Sequence, residues 1–198
     1  MPIRHLLRCR VTIESALCTA VLLFTQSCGP STAPDSSPIE FVPDRDAYYG
    51  LQTVQSAQVN RCLEGNRFVP TATLEGAAFM DFCQDVTGQT WRFVPAGDGL
   101  YRMQTLFLED EGKCLESNSL AVNSVLDGAA YMDECVDSPG QLWSIVAVPE
   151  GSFQPRTVGG GPKCFHGNQV APGAVARGGA YMTDCTGEWG ELWFATKR

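Results

Sequence analysis

The sequence predicts an all-β fold of three equivalent four-stranded lobes, and three observations carry that expectation. A phrase recurs: "GAAFMDFCQDVTGQTW" (Gly76–Trp91), "GAAYMDECVDSPGQLW" (Gly128–Trp143) and "GGAYMTDCTGEWGELW" (Gly178–Trp193) share one outline. The landmarks keep phase. Cys62, Cys114 and Cys164 are spaced 52 and 50 residues apart, as are Cys83, Cys135 and Cys185, and as are Trp91, Trp143 and Trp193. Helical periodicity is missing beyond the N-terminus, while 20 Gly and 12 Pro mark many turns. Self-similarity at a fixed period is the signature of a repeat architecture.

Taken in chain order, the first element is a targeting segment. Residues 1–27 carry Arg4, Arg8 and Arg10 before an apolar run, Ser15–Phe24, and end at "TQSC". That run is short for a bilayer span and reads as a secretory signal. A small residue before Cys28 resembles the cleavage box of bacterial lipoproteins, which implies lipidation of Cys28. Thr25 stands where such boxes usually have Leu. Residues 28–43 then form an expected flexible linker, "GPSTAPDSSPIEFVP" after the cysteine, with a reach of roughly 3 Å per residue where extended. The expected domain covers 44–198, in repeats of about 44–95, 96–147 and 148–198.

Each repeat reads as four short strands separated by turn residues. In the second repeat they fall near Tyr101–Leu106, Lys113–Glu116, Ala130–Cys135 and Leu142–Val146, around "EDEG", "SNS" and "SPG". The leading strands align as "YYGLQTV", "LYRMQTL" and, more weakly, "SFQPRTV". The third repeat is shorter between Thr157 and Cys164, where a turn tolerates deletion. Three such units are too few for a propeller, and no distinct caps mark a solenoid. Three lobes around a pseudo-threefold axis close on themselves and leave no long free edge. The expected architecture is therefore a β-trefoil.

Charge and cysteine count bound the partners. Net charge is −8, and removal of the basic first segment makes the remainder more acidic. That disfavours nucleic acid and anionic headgroups, leaving membrane contact to a lipid anchor alone. Nine cysteines become six once the first 27 residues are removed and Cys28 is lipidated, an even number suited to an oxidising compartment. The expected location is across the bacterial inner membrane, anchored in the envelope and facing the periplasm or the cell surface, as a monomer.

The three outlines "CLEGN…GAAFMDFC…GQTW", "CLESN…GAAYMDEC…GQLW" and "CFHGN…GGAYMTDC…GELW" resemble the ricin B-type lectin β-trefoil over residues 44–198. The resemblance implies one shallow carbohydrate pocket per lobe. Its acid, two residues after the first Cys, falls on Glu64, Glu116 and His166, so the third lobe loses its carboxylate. The place two before the second Cys, often a stacking aromatic, holds Asp81, Asp133 and Thr183. Aromatics sit two residues earlier, as Phe79, Tyr131 and Tyr181. Gly88, Gly140 and Gly190 stand where Asn commonly precedes the Gln, here Gln89, Gln141 and Glu191.

The candidate carbohydrate-binding groups are therefore Glu64, Asn66, Phe79, Asp81 and Gln89 in lobe one, and Glu116, Asn118, Tyr131, Asp133 and Gln141 in lobe two. Aromatic faces suit the C–H faces of sugars, while acids and amides suit hydroxyls. Each also has a structural reading: the aromatics pack against hairpins, the Asn residues serve turns with φ > 0, and the Gln amides hold backbone. The resemblance also pairs Cys62 with Cys83, Cys114 with Cys135 and Cys164 with Cys185 as disulfides, each worth about 3 kcal/mol through restriction of the unfolded chain; zinc is the alternative use of these cysteines. Trp91, Trp143, Trp193, Met80, Met132 and Met182 are expected core residues.

Enzyme chemistry finds little support, and no metal or cofactor is implied. His166 is the only histidine after the first segment, no G-x-S-x-G motif occurs, and "VGGGP" lacks the Lys of a phosphate loop. The acid pair Glu64/Asp81 is the remaining hydrolytic candidate, and exposed loop acids seldom meet the required geometry. The expected function is non-catalytic glycan binding. The alternative is a degenerate trefoil that binds a protein partner, as inhibitor or in assembly.

Overall fold

The computed structural model describes residues 40–65, 77–117, 129–159, 161, 163–167 and 179–198. All of them lie in one compact unit, Ser36–Arg198. The signal segment, Cys28, most of the linker and Asn66, Asn118 and Asn168 fall outside the described residues.

Among the described residues, twelve strands divide four to a lobe. Lobe one holds β1 (Tyr49–Thr53), β2 (Arg61–Gly65), β3 (Ala78–Phe82) and β4 (Trp91–Gly97). Lobe two holds β5 (Leu100–Thr105), β6 (Lys113–Ser117), β7 (Ala130–Glu134) and β8 (Trp143–Ala147). Lobe three holds β9 (Phe153–Thr157), β10 (Lys163–His166), β11 (Tyr181–Asp184) and β12 (Trp193–Lys197). The single α-helix among the described residues, α1 (Val54–Ala57), is one turn held by a reciprocal cap between Thr53 and Ser56.

The first and last strands of each lobe form a closed antiparallel ring, β1–β4–β5–β8–β9–β12 and back to β1. The two middle strands of each lobe form a hairpin: β2–β3, β6–β7 and β10–β11. The three hairpins meet one another through backbone. Ala130 N donates to Ala180 O at 3.0 Å, and Ala180 N to Ala78 O at 2.8 Å. Alanine at these equivalent buried positions lets the hairpins approach this closely. A six-stranded ring closed by three hairpins is a β-trefoil.

Period-two burial explains the core. In β3, Ala78 and Met80 point inward, and Met132 and Met182 repeat that placement. Trp91, Trp143 and Trp193 are fully buried. Each indole N–H donates to the carbonyl of the residue after the lobe's first cysteine: Leu63 at 2.8 Å, Leu115 at 3.0 Å and Phe165 at 2.8 Å. The "C-[LF]…W" repeat is thus one tie, made three times, between hairpin and barrel. The disulfides Cys62–Cys83, Cys114–Cys135 and Cys164–Cys185 are formed, with Cα separations of 4.9, 5.0 and 5.0 Å.

One feature differs from the expected boundary at residue 44. Phe41 is already packed, stacked on Phe153 at 4.4 Å and edge-on to Tyr49 and Phe93 at 5.6 and 5.8 Å. Asp44 then pairs with Lys197 at 2.9 Å, tying this entry segment to the last strand.

Candidate functional site

The register of each hairpin brings the expected acid and aromatic together. Glu64 lies directly opposite Phe79, Glu116 opposite Tyr131, and His166 opposite Tyr181. Directly opposed residues share a face and have Cβ atoms about 4.5–5.5 Å apart. The other face of each hairpin carries Leu63 with Met80, or Leu115 with Met132, and is buried. Alternation therefore puts Glu64, Glu116 and Tyr131 on the face opposite that core layer, half-buried, while Phe79 and His166 on the same face are buried.

Glycine makes room for the acid. A Cβ on Gly140 would lie 2.5 Å from Glu116 Oε1, and one on Gly88 3.2 Å from Glu64 Cγ. A Cβ on Gly190 would lie 2.2 Å from His166 Cε1 and Nε2. The longer arms of Glu and His lie over these backbones, so glycine replaces the Asn that the resemblance leads one to expect there. Ser138 Oγ donates to Glu116 Oε1 at 3.0 Å, and Gln89 Nε2 donates to Glu64 Oε2 at 3.0 Å, so each carboxylate is held in a defined orientation. Gly140→Ala should swing Glu116 away and break its bond to Ser138. The same Cβ would also press on Ser117 O at 3.0 Å, so backbone as well as the carboxylate must shift, and stability should fall by about 1–2 kcal/mol together with any ligand affinity of lobe two. Paired denaturation and ligand titrations check this.

The other candidates separate. Tyr131 is half-buried, and burial, then the charges of Glu116 and Asp133, push its phenol pKa up, so it stays a hydroxyl donor near neutral pH. Phe79 is only 9% exposed and offers little open face. Asp81 accepts from Phe82 N at 2.7 Å and lies 3.8 Å from the Arg61 guanidinium, which in turn covers the Phe82 ring at 4.5 Å. Asp133 is exposed and accepts from Glu134 N at 2.7 Å.

Gln89 and Gln141 had two readings, ligand contact and support of the backbone, and their full burial favours the second. Gln89 accepts from Gln84 N at 2.8 Å and donates to Phe82 O at 2.9 Å; Gln141 accepts from Val136 N at 2.9 Å and donates to Glu134 O at 2.7 Å. These bonds brace the chain around each second cysteine, and the Gln89 amide also holds the Glu64 carboxylate. Glu191 takes the same place in lobe three, accepting from Gly187 N at 2.7 Å and Thr186 N at 3.0 Å.

Lobe three differs in chemistry. His166 is 7% exposed, its ring 4.7 Å from that of Tyr181, and its Nδ1 has no partner among the described residues. Burial pushes its pKa down, against the opposing charges of Glu191 and Glu188, so it is neutral near pH 7. Sequence reasoning passed over Trp189, which is 61% exposed in the turn preceding β12. Its signal was available: it is the one Trp outside the repeated frame. Among the described residues no cluster of three or more His, Cys, Asp or Glu could hold a metal ion.

No protein-family model matches the chain, and no curated protein matches it either. Solved structures do. A designed three-fold symmetric protein, ThreeFoil, is 20% identical with a TM-score of 0.58, covering 76% of this chain and 99% of that one. The BEL β-trefoil is 8% identical with a TM-score of 0.61, covering 81% and 99%. An exo-β-1,3-galactanase from Clostridium thermocellum is 16% identical with a TM-score of 0.60; the match covers 80% of this chain but only 31% of the galactanase. Identities this low speak to the fold, and the fold is a β-trefoil.

Proposed function

We propose that this protein is a non-catalytic, lectin-like carbohydrate-binding module of the kind the ricin B resemblance implies, with shallow sites in lobes one and two. The observation that carries this reading is the carboxylate held directly across the strand pair from an aromatic ring, seen most openly at Glu116 and Tyr131. The ring offers an apolar face, the carboxylate accepts from sugar hydroxyls, and the Tyr131 hydroxyl adds a donor. Lobe two leads, because Phe79 leaves lobe one with its acid but little ring surface. Each site is weak alone, and multivalent display raises the apparent affinity.

A glycan array probed with Ser36–Arg198 tests this reading. Glycan binding should drop about tenfold or more in the Glu116→Ala/Tyr131→Ala double variant, since hydrogen bonds to a charged group contribute about 1.5–3 kcal/mol. An array without hits, together with a protein recovered in pull-down, would instead support the degenerate trefoil that binds a protein. The exposed apolar residues Val86, Leu106 and Phe107 favour that second reading.

The setting belongs to the same proposal: export through the signal segment, a lipid anchor on Cys28, and a tether holding the acidic domain off the membrane. Mass spectrometry of the mature N-terminus should find an acylated Cys28. An unmodified N-terminus at any other residue would remove the anchor.

A further inference from the structure

Each lobe's bridge joins a buried cysteine to an outer one, and the outer one is not alike in the three lobes. Cys62, Cys114 and Cys164 are all buried. Cys83 and Cys135 are half-buried, whereas Cys185 is exposed. In lobes one and two an arginine holds down the chain that follows the outer cysteine. Arg198 donates to Gln84 O at 3.2 Å and pairs with Asp85 at 3.3 Å; Arg102 pairs with Asp137. In lobe three the arginine has moved. The leading strands align as "GLQT", "RMQT" and "QPRT", so Gln154 takes the place of Arg102, and Arg156 takes the place of Gln52 and Gln104. Gln154 turns to Glu191 at 3.3 Å instead of covering the segment after Cys185.

The exchanged place is the one that meets the sulfurs. Gln52 Nε2 lies 3.2 Å from Cys83 Sγ, and Gln104 Nε2 lies 3.2 Å from Cys135 Sγ and 3.6 Å from Cys114 Sγ. Arg156 stands directly opposite Cys164 in the β9–β10 register, and directly opposed residues share a face. Its Nη2 donates to the neutral Gln154 Oε1 at 2.8 Å. Its Nε is buried and has no hydrogen-bond partner among the described residues. Where lobes one and two place a neutral amide at the bridge, lobe three places a cation. A guanidinium beside a cysteine favours the thiolate over the thiol, and a sulfur that is a better thiolate is a better leaving group in disulfide exchange.

We propose that the Cys164–Cys185 bridge is a thiol–disulfide exchange site, opened by a small external thiol that attacks Cys185 while Arg156 stabilises the departing Cys164. The incoming thiol gives its proton to solvent and attacks as the thiolate. A bond forms between its sulfur and Cys185 Sγ, the bond between the two Sγ atoms breaks, and that electron pair leaves on Cys164 Sγ. The products are a mixed disulfide at Cys185 and a Cys164 thiolate opposite Arg156. No further oxidant or reductant is needed, and attack by Cys164 on the mixed disulfide recloses the bridge and returns the thiolate. Access and leaving group act together: the exposed sulfur receives the attack, and the buried one departs beside the cation. The bridges of lobes one and two stay closed, so the exchange is confined to one lobe. The site is independent of the sugar positions of lobes one and two.

The probe is mercaptoethanol, a small uncharged monothiol, applied to the folded full-length protein at about pH 8, with timed trapping by iodoacetamide and peptide mass spectrometry. The lobe-three bridge should open at least about tenfold faster than the other two. The trapped product should carry mercaptoethanol on Cys185 and the alkyl group on Cys164. Arg156→Gln, which restores the residue of lobes one and two, should slow that opening about tenfold, because a leaving thiol of higher pKa departs more slowly. Arg156→Lys keeps the positive charge and should keep most of the rate, which a merely structural role for the guanidinium would not predict. The comparison of the three bridges in the wild type needs no variant to fold. Equal opening of the three bridges, or first opening in lobe one or two, overturns the proposal. So does the reverse labelling of Cys164 and Cys185, or a rate that Arg156→Gln leaves unchanged or that Arg156→Lys lowers as far as Arg156→Gln does. None of these outcomes bears on the glycan result, which is read in other lobes.

Discussion

Trp143→Ala should cost about 3–5 kcal/mol, at the upper end for a single residue. Three losses coincide. The indole is fully buried, so its removal leaves a cavity that a closed barrel cannot collapse. Its N–H is the partner of Leu115 O at 3.0 Å, so the hairpin carbonyl loses its donor. Its ring also lies 5.4 Å from Phe165, so contact between lobes two and three goes with it. Urea denaturation read by far-UV circular dichroism measures the effect. A loss near 1 kcal/mol would mean that the indole is not the tie between hairpin and barrel described here.

Replacing Cys114 and Cys135 together by serine should cost about 3 kcal/mol, by a different route. The bridge closes a loop with a sequence separation of 21 residues, and its removal frees the unfolded chain more than it disturbs the folded one. The β6–β7 register, five residues paired on each side, still holds Glu116 across from Tyr131. Denaturant midpoints should therefore drop clearly, while ligand affinity well below the transition stays near that of the wild type. Affinity lost in proportion to stability would show that the bridge shapes the site itself. Because the three bridges are equivalent and each lies within one lobe, the corresponding pairs in lobes one and three should give similar losses.

The fold was legible because its strongest signals are local and repeated three times. Cys and Trp at constant spacing placed every hairpin and every barrel tie, and strand ends in lobe two fell within about a residue of the expected positions. The acid–aromatic pairing was legible for the same reason: given the hairpin, register alone brings Glu116 to Tyr131. What sequence could not supply depends on distance in space rather than along the chain. Gln89 and Gln141 fitted both a binding pattern and a backbone-holding one, and the fold supplies the particular partners, Phe82 O and Glu134 O. Gly140 looked like the loss of a ligand group until the Glu116 carboxylate was seen lying over it. Phe41 sits in a Pro- and Ser-rich stretch that reads as tether, and its packing on Phe153 joins residues more than a hundred positions apart. Trp189 was overshadowed by the three in-frame tryptophans.

The central claim is that the outward acid–aromatic pair of lobe two is a sugar-binding surface. Backbone amide chemical shifts, followed during titration with the best glycan from the array, test it most directly. The account predicts saturable shifts centred on Glu116, Tyr131 and Gly140, weaker ones at Glu64 and Gly88, and none at Trp189. Shifts confined to other surfaces, or none with any glycan, would contradict it.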